Sequence, residues 1–178
     1  MTSMLERSAR IVDGTDNAPI GLKVTVDATP VEEVAPGIGV IESFSNVVVF
    51  NTDDGLTLFD VSHGMAAKSV VASLRSWSND RVNTAVYTHG HTDHVGGAGA
   101  FNADATRRAD RPIQYVAHEA VVDRFDRYKL TNGYNGYINM RQFRLPGPMF
   151  PSDFVYPDTT FRSETTLDIG GRSFELHH

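Results

Sequence analysis

The chain has 178 residues, of which 40% are hydrophobic and 21% charged, a balance typical of one globular domain with its own core. It contains no cysteine, which excludes disulfides and thiolate metal sites from this sequence. The formal net charge of −6 argues against nucleic acid as a partner, and no run approaches the ~20 apolar residues that a membrane span needs.

The first residues are charged and lack the apolar core of a signal peptide, so we expect a cytoplasmic protein that has no membrane anchor. Residues 1–20 are polar and rich in turn formers, which predicts a flexible N-terminal arm. Residues 21–178 then form the folded domain. Its first strands are predicted at 22–26, 38–43, 46–51 and 56–61, and Asp54-Gly55 marks a hairpin between the last two.

Strands and helices then alternate. Residues 65–77 place apolar side chains on one helical face, residues 82–88 form a buried strand, and a short helix near 98–103 precedes a strand at 113–117. Residues 119–130 have helical periodicity, residues 131–158 are predicted as a loop, and Gly170-Gly171 is the turn of a hairpin over 166–178. This order predicts an α/β (α+β) fold, a sheet with helices on its outer face.

The most informative motif follows the 82–88 strand: His89, His91, Asp93 and His94 lie within six residues. If the chain stays extended there, residues 89, 91 and 93 project to one side, because side chains alternate along a strand. His94 then points away unless the backbone turns, for which Gly96-Gly97 provides the freedom of positive φ. One arrangement places His89 and His91 on a first metal ion and Asp93 and His94 on a second. The alternative is a run of surface histidines in a loop.

Imidazole and carboxylate ligands without thiolate suit zinc, with manganese or iron as further candidates. Zinc lowers the pKa of a bound water to roughly 7, which yields a hydroxide nucleophile at neutral pH. The motif therefore predicts a metal-dependent hydrolase, with a dinuclear zinc site and a small-molecule substrate.

The motif His89-Gly-His-Thr-Asp-His94 resembles the signature of the metallo-β-lactamase-fold metallo-hydrolases. The resemblance covers roughly residues 38–125, including the strands on either side of Asp54-Gly55. It implies an αββα sandwich with two zinc ions at one edge, held by His89 and His91 and by Asp93 and His94. It also implies a catalytic role for Asp93 in orienting the attacking water, and a supporting role for Asp60 as a carboxylate behind the ligands.

The family completes its site with two further histidines and a bridging aspartate, all beyond the signature, whereas this sequence stops at His178. We therefore expect the N-terminal part of a longer protein, in which the rest of the metallo-β-lactamase-like domain is missing; a natural half-site without catalysis is the alternative. His177 and His178 are weaker ligand candidates, and His118 is expected to be structural. His63 lies where members of the family line the cleft, but we expect a loop histidine with satisfied hydrogen bonds, and a functional role is the alternative. Because a half sandwich leaves one sheet face uncovered, we expect association, of which a homo-oligomer is one form, or poor solubility unless a partner covers that face.

The 131–158 loop is the segment expected to select substrate. Tyr134, Tyr137, Arg141 and Gln142 could contact it, and Arg141 would suit an anionic ester. The alternative is a loop that only caps the sheet. The leading function is hydrolysis of an ester-like substrate such as a thioester, lactone or sulfate ester. The alternatives are a non-catalytic half-domain that binds metal or a partner, and a nuclease of the same superfamily.

Overall fold

The structure is a computed structural model of the chain, and it describes residues 3–16 and 28–178. Within these residues the larger sheet has seven strands in the order β1 to β7. Strands β1 to β4 are antiparallel, and β4 to β7 are parallel. In chain order they are β1 Glu32–Ala35, β2 Ile38–Ile41, β3 Val47–Thr52, β4 Gly55–Phe59, β5 Val82–Tyr87, β6 Gln114–His118 and β7 Thr159–Phe161.

The remaining elements are five helices and a hairpin in the described part of the chain. The helices are α1 Met4–Val12, α2 Ala67–Trp77, α3 Thr92–Val95, α4 Ala98–Arg107 and α5 Ala120–Phe143. The hairpin pairs β8 Glu164–Ile169 with β9 Arg172–His177, and Gly170 and Gly171 both have positive φ in its turn, as predicted. The predicted mixed α/β order is confirmed. None of the described helices combines the length and hydropathy that crossing a membrane requires.

The main core lies between the large sheet and helices α2 and α4. Val49 on β3 and Leu58 on β4 are opposite each other and fully buried, and they share one cluster with Val70 and Leu74 of α2. The predicted helical face of α2 is the face that is buried here. This packing holds the carboxyl ends of the parallel strands β4, β5 and β6 at one edge of the sheet, where ligands bind in open α/β sheets.

The β8–β9 hairpin packs against the other face of the sheet. Phe174 of β9 lies 5.1 Å from the ring of Phe50 and 5.7 Å from that of Phe59. Phe50 alternates along β3 with the buried Val49, so the two side chains point to opposite faces. The amide of Asp53 donates to the carbonyl of Gly170 at 3.0 Å, which ties the two turns together.

Part of the segment predicted as a flexible arm is helical. Ser3 and Glu6 form a reciprocal capping box at the start of α1, and Arg7 lies 2.6 Å from Glu42 next to the sheet. The strand predicted at 22–26 lies outside the described residues. The division into an arm over 1–20 and a domain over 21–178 stays a prediction.

One prediction of secondary structure was wrong: residues 131–143 are not loop but the second half of α5. Asn132 donates to the carbonyls of Phe150 and Pro151 at 3.1 Å each, and Asn139 donates to that of Met149 at 3.4 Å. These contacts attach the helix to the chain segment that returns beside it. They override the weak helical propensity of an Asn- and Gly-rich stretch, an effect that sequence periodicity cannot reveal.

Candidate metal centre

The four motif residues come together at the carboxyl ends of β4 and β5. The ring centroids of His89 and His91 are 4.6 Å apart, and those of His89 and His94 are 4.1 Å apart. Asp93 Oδ2 lies 3.4 Å from His94 Nε2. The motif lies at the rim of the sheet, where a ligand can reach it from the adjacent cleft.

The backbone turns earlier than the sequence suggested. His91 is still extended, at φ −76° and ψ 144°, and the short helix α3 begins at Thr92, so His94 is carried back towards His89. Gly96 and Gly97 have φ of −67° and −80°, so the predicted need for positive φ at these glycines was wrong. They are needed for close approach instead: a Cβ on Gly97 would overlap the carbonyl oxygen of Val61.

Asp60 connects the end of β4 to the motif. It is 5% exposed, and its carboxylate accepts hydrogen bonds from the Thr88 amide at 2.8 Å and the Thr88 hydroxyl at 2.7 Å. Its Oδ2 also lies 2.6 Å from His94 Nδ1. Asp60 and Ser62 both have positive φ, of 62° and 61°, which is uncommon for residues other than glycine. Such backbone strain clusters at functional sites.

The Val61 amide donates to the carbonyl of His94 at 2.8 Å, and the Gly97 amide donates to that of Ser62 at 2.9 Å. These bonds hold the strained segment against α3. The Asp60 carboxylate therefore has a fixed position behind His94.

The charges of the cluster follow from these contacts. Burial disfavours protonation of His94, but the Asp60 and Asp93 carboxylates outweigh it and raise its pKa to about 9. The hydrogen bond from His94 lowers the pKa of Asp93 despite its partial burial. Burial, together with His94 and His91 nearby, lowers the pKa of His89. These pKa shifts favour protonation of His94 and disfavour protonation of His89.

The donor set fits a zinc site in chemistry and proximity, with three imidazoles and one carboxylate in a single cluster. Asp60 holds Nδ1 of His94 and leaves Nε2 facing the cluster, the pattern in which a carboxylate orients a metal-binding histidine. In this arrangement, however, Asp93 and His94 contact each other. Within residues 3–16 and 28–178, no three His, Cys, Asp or Glu side chains are placed so that they could hold one metal ion together. The ligand roles of His89, His91, Asp93 and His94 stay predictions.

Two further histidines, His63 and His118, lie outside the motif. His63 is half-buried in the cleft beside the motif, and its Nδ1 accepts the Met65 amide at 3.1 Å. Burial lowers the pKa of His63, although Asp93 counteracts the effect. Both ring nitrogens of His118 are in hydrogen bonds to the backbone of Ala120 and Arg162, in keeping with the structural role predicted for it.

The two terminal histidines lie on the hairpin side. His178 stacks on the ring of His118 with a centroid distance of 3.5 Å. His177 is exposed and lies 3.6 Å from both Glu164 and Glu175. Both contacts are with groups outside the motif cluster, and a ligand role for either histidine stays untested.

A cleft of about 650 Å³ opens beside the motif. His91, Thr92 and Asp93 line one end. The rest is formed mainly by Phe44 after β2, by residues that precede α2, by Tyr128 and the end of α5, and by the segment that follows α5. Gln142 lines this cleft. Tyr134, Tyr137 and Arg141 are exposed side chains of α5 and do not line it; their predicted contact with substrate stays untested.

Two residues of the centre escaped the sequence reasoning. The Thr88 hydroxyl lies 2.7 Å from Asp60 Oδ2 and 3.0 Å from His89 Nδ1, so it connects the two sides of the cluster. Ser45 is buried, and its Oγ lies 3.1 Å from His94 Nδ1. Thr88 could have been noticed as the residue between strand and motif. Ser45 carries no sequence signal, because its contact with His94 spans 49 positions.

Comparisons with known proteins agree with this fold. The model of the metallo-beta-lactamase superfamily matches residues 40–178. The stereoselective inverting sec-alkylsulfatase Pisa1 from Pseudomonas sp. has a similar structure, with a TM-score of 0.66 and 17% identity over 83% of this chain and 27% of that chain. The metallo-beta-lactamase GOB-18 from Elizabethkingia meningoseptica gives a TM-score of 0.60 and 20% identity over 89% of this chain and 53% of that chain.

The subclass B3 metallo-beta-lactamase BJP-1 of Bradyrhizobium japonicum is similar as well, with a TM-score of 0.62 and 19% identity over 89% of this chain and 55% of that chain. The chain thus spans between a quarter and just over half of the length of these solved structures. At these identities the similarity shows the fold. No curated protein sequence matches the chain.

Proposed function

Because the chain belongs to the metallo-beta-lactamase superfamily, we propose that it acts as a metal-dependent hydrolase on an ester-like small molecule. The observation that carries this proposal is the convergence of the four motif side chains at the sheet edge, with Asp60 fixed behind His94. A run of surface histidines would not require a buried carboxylate and two residues with positive φ behind it.

In this proposal His89 and His91 hold one zinc ion, and Asp93 and His94 hold a second, with manganese or iron as the less suitable occupants. A zinc ion bound there would lower the pKa of a coordinated water to roughly 7 and so supply a nucleophile at neutral pH.

The chain's own residues prepare the site for this chemistry. Asp60 accepts from Nδ1 of His94, which leaves Nε2 of that ring directed towards Asp93. Asp93 is ionised, because its pKa is lowered by His94, and its carboxylate can therefore orient a water by accepting a hydrogen bond. The Thr88 hydroxyl donates to Asp60 and so adds to the anchoring of that carboxylate.

The names of the similar structures support hydrolysis without deciding the bond that is cleaved. One is an alkylsulfatase and two are metallo-beta-lactamases, so their substrates carry sulfate ester and β-lactam groups respectively. The proposed substrate class is accordingly broad: thioesters, lactones, sulfate esters and similar compounds. The acidic balance of the chain, with a net charge of −6, makes a nuclease the less favoured alternative.

The first experiment is the metal content of the purified chain, determined by elemental mass spectrometry after incubation with zinc and removal of the excess. We expect about one or more zinc ions per chain, because the four motif ligands lie in one cluster. The H89A/H91A double variant is expected to lose bound zinc. A wild-type chain that retains no zinc would contradict the proposal that these four residues hold the metal, and would leave a half-domain that binds a partner as the alternative.

The second experiment replaces Asp93 by Ala in a full-length form of the protein and measures turnover of a panel of thioesters, lactones and sulfate esters. We expect turnover to be abolished, since the variant lacks both a ligand and the group that orients the attacking water. Asp123→Ala is the matched control, because Asp123 is a carboxylate in the first turn of α5 that does not line the cleft beside the motif. Retained turnover in Asp93→Ala would contradict the assigned role.

A further inference from the structure

The cleft beside the motif has two chemically different ends. At the first end lie His63, His91 and Asp93. The remaining wall is mostly apolar, and its large side chains are Phe44, Met65, Phe143, Leu145, Met149 and Phe150. These come from three separate parts of the chain: the residues after β2, the residues before α2, and the end of α5 with the segment that follows it.

Several of these apolar side chains are unusually exposed. Met65 is 53% exposed, Met149 is 51% exposed and Phe143 is 38% exposed. Single exposed apolar residues are common, but exposed residues that converge on one concave surface mark a binding site. The volume of about 650 Å³ lies in the range of pockets that take small molecules.

The described side chains that line the apolar end of the cleft carry no charge of their own. Among the described residues that line the cleft, none is lysine, arginine or glutamate, and the ionisable ones near the reacting end lie in or beside the motif. The polar residues elsewhere in the wall include the amides Asn139 and Gln142. A charged group placed against Phe143 and Met149 would therefore lose part of its hydration without gaining a charged partner in the cleft wall, which is unfavourable.

We propose that this cleft binds an uncharged, medium-length alkyl or acyl chain of the substrate, with the ester-like group at the end that carries His91 and Asp93. This inference rests on the proposed function, because it assigns the non-reacting part of the same substrate. The two ends of the substrate then have different contacts. The motif contacts the bond to be cleaved, and the wall formed by Met65, Phe143 and Met149 selects the alkyl or acyl group. Methionine and phenylalanine suit this task, since flexible thioethers adapt to a chain that has no fixed shape.

A binding experiment tests the proposal without requiring turnover. Two neutral amides are titrated into the purified protein by calorimetry. Octanamide has an eight-carbon acyl group, and acetamide has the same amide with a two-carbon acyl group. Octanamide is expected to bind at least about tenfold more tightly, because only its chain reaches the apolar wall. Equal affinities would overturn the proposal.

Two variants and one control locate the binding surface. Phe143→Ser and Met65→Ser, in separate parts of the wall, are each expected to weaken octanamide binding about fivefold to tenfold. Leu130→Ser is the control: Leu130 is on the same helix as Phe143, is 88% exposed and does not line the cleft, so octanamide affinity should be unchanged. If either wall variant fails to fold, the other still decides. If only Leu130→Ser weakened octanamide binding, the alkyl group would bind outside the cleft, and the proposal would be overturned.

Two further outcomes separate this proposal from its alternatives. If the cleft instead binds a second copy of the chain, Phe143→Ser will convert a dimer to a monomer in size-exclusion chromatography and octanamide will not bind, which overturns it. If octanamide binds as predicted but no ester is hydrolysed, the assignment of the cleft to an alkyl or acyl group is supported and the proposed function is contradicted. If esters are hydrolysed at equal rates from two to eight carbons and octanamide shows no preference, the proposed function stands and this inference fails.

Discussion

Asp60 is the residue on which the orientation of His94 depends most directly. Its Oδ2 lies 2.6 Å from His94 Nδ1, so the proton is held on that nitrogen and Nε2 can act as a ligand once His94 loses its second proton. In Asp60→Asn an amide NH₂ facing Nδ1 would favour the opposite tautomer, which blocks Nε2. Asn tolerates positive φ, so the backbone at this position should be retained.

For Asp60→Asn we therefore expect zinc affinity to fall by about 10-fold to 100-fold, as for other carboxylates behind a metal-binding histidine. The measurement is competition with a chelating dye, with folding checked by circular dichroism. Asp158→Asn is the control, because Asp158 also accepts a backbone hydrogen bond, from Tyr115 at 2.8 Å, but lies outside the centre. Equal affinity in Asp60→Asn and wild type would show that Asp60 does not orient a ligand.

Gly97 gives a second test at the scale of one residue. A Cβ at this position would overlap the carbonyl oxygen of Val61, whose amide is already bonded to the carbonyl of His94. Gly97→Ala must therefore push α3 away from the Asp60–Ser62 segment. We expect it to lower the free energy of unfolding by about 2 to 3 kcal/mol, the cost of overpacking a tight contact.

The matched control for Gly97→Ala is two residues away. Gly99 lies in the first turn of α4, and a Cβ added there would have no other atom within 4 Å, so Gly99→Ala should raise stability by up to about 1 kcal/mol. Urea unfolding of both variants measures the difference. Equal stabilities for the two alanine variants would mean that α3 is not held against the end of β4.

At the scale of elements, α5 shows how far sequence can predict this fold. Its first half follows apolar periodicity and was predicted, whereas residues 131–143 contain glycines and asparagines and were predicted as loop. Their helical state depends on hydrogen bonds to residues 149–151, which lie at least ten positions away. Similarly, β7 and β1 are short strands defined by pairing with neighbours, and neither was predicted.

The strands with strong local signals were predictable. Strands β3 and β4 are joined by Asp53 and Asp54, one residue earlier than predicted, and Gly55 with positive φ begins β4. Strands β8 and β9 are joined by Gly170-Gly171, since glycine permits the positive φ that tight hairpins need. The four motif residues were predictable as a cluster because they are adjacent in sequence. The supporting residue Ser45 and the apolar wall of the cleft were not, because both depend on contacts between distant segments.

Asn132 tests the explanation for the second half of α5. Asn132→Ala removes two hydrogen bonds to the carbonyls of Phe150 and Pro151, and we expect the free energy of unfolding to fall by about 1 to 2 kcal/mol. Asn135→Ala is the control, because the Asn135 amide donates to Thr131 within the same helix; its effect should stay within about 0.5 kcal/mol. Chemical denaturation measures the free energy of unfolding of both variants. Equal losses would contradict the explanation that hydrogen bonds to residues 150 and 151 stabilise the second half of α5.

At the scale of the whole molecule, the question is whether the β8–β9 hairpin folds together with the seven-stranded sheet. The ring of Phe174 packs against Phe50 and Phe59, and Arg172 Nε donates to the carbonyl of Asn51 at 2.9 Å. These contacts connect residues more than a hundred positions apart. They predict one cooperative unit, in which the hairpin is the second layer on the sheet face opposite the helices.

Phe174→Ala tests this prediction, since Phe174 is only 9% exposed and its ring is the centre of the contact. If hairpin and sheet unfold together, the free energy of unfolding should fall by about 3 kcal/mol, as for other buried phenylalanines, with an unchanged urea dependence. Ser173→Ala, at the adjacent exposed position, should change it by less than about 0.5 kcal/mol. If the hairpin were only loosely attached, Phe174→Ala would not change the urea midpoint at which the sheet unfolds. It would increase amide hydrogen exchange in residues 164–177 alone, because local opening does not require global unfolding.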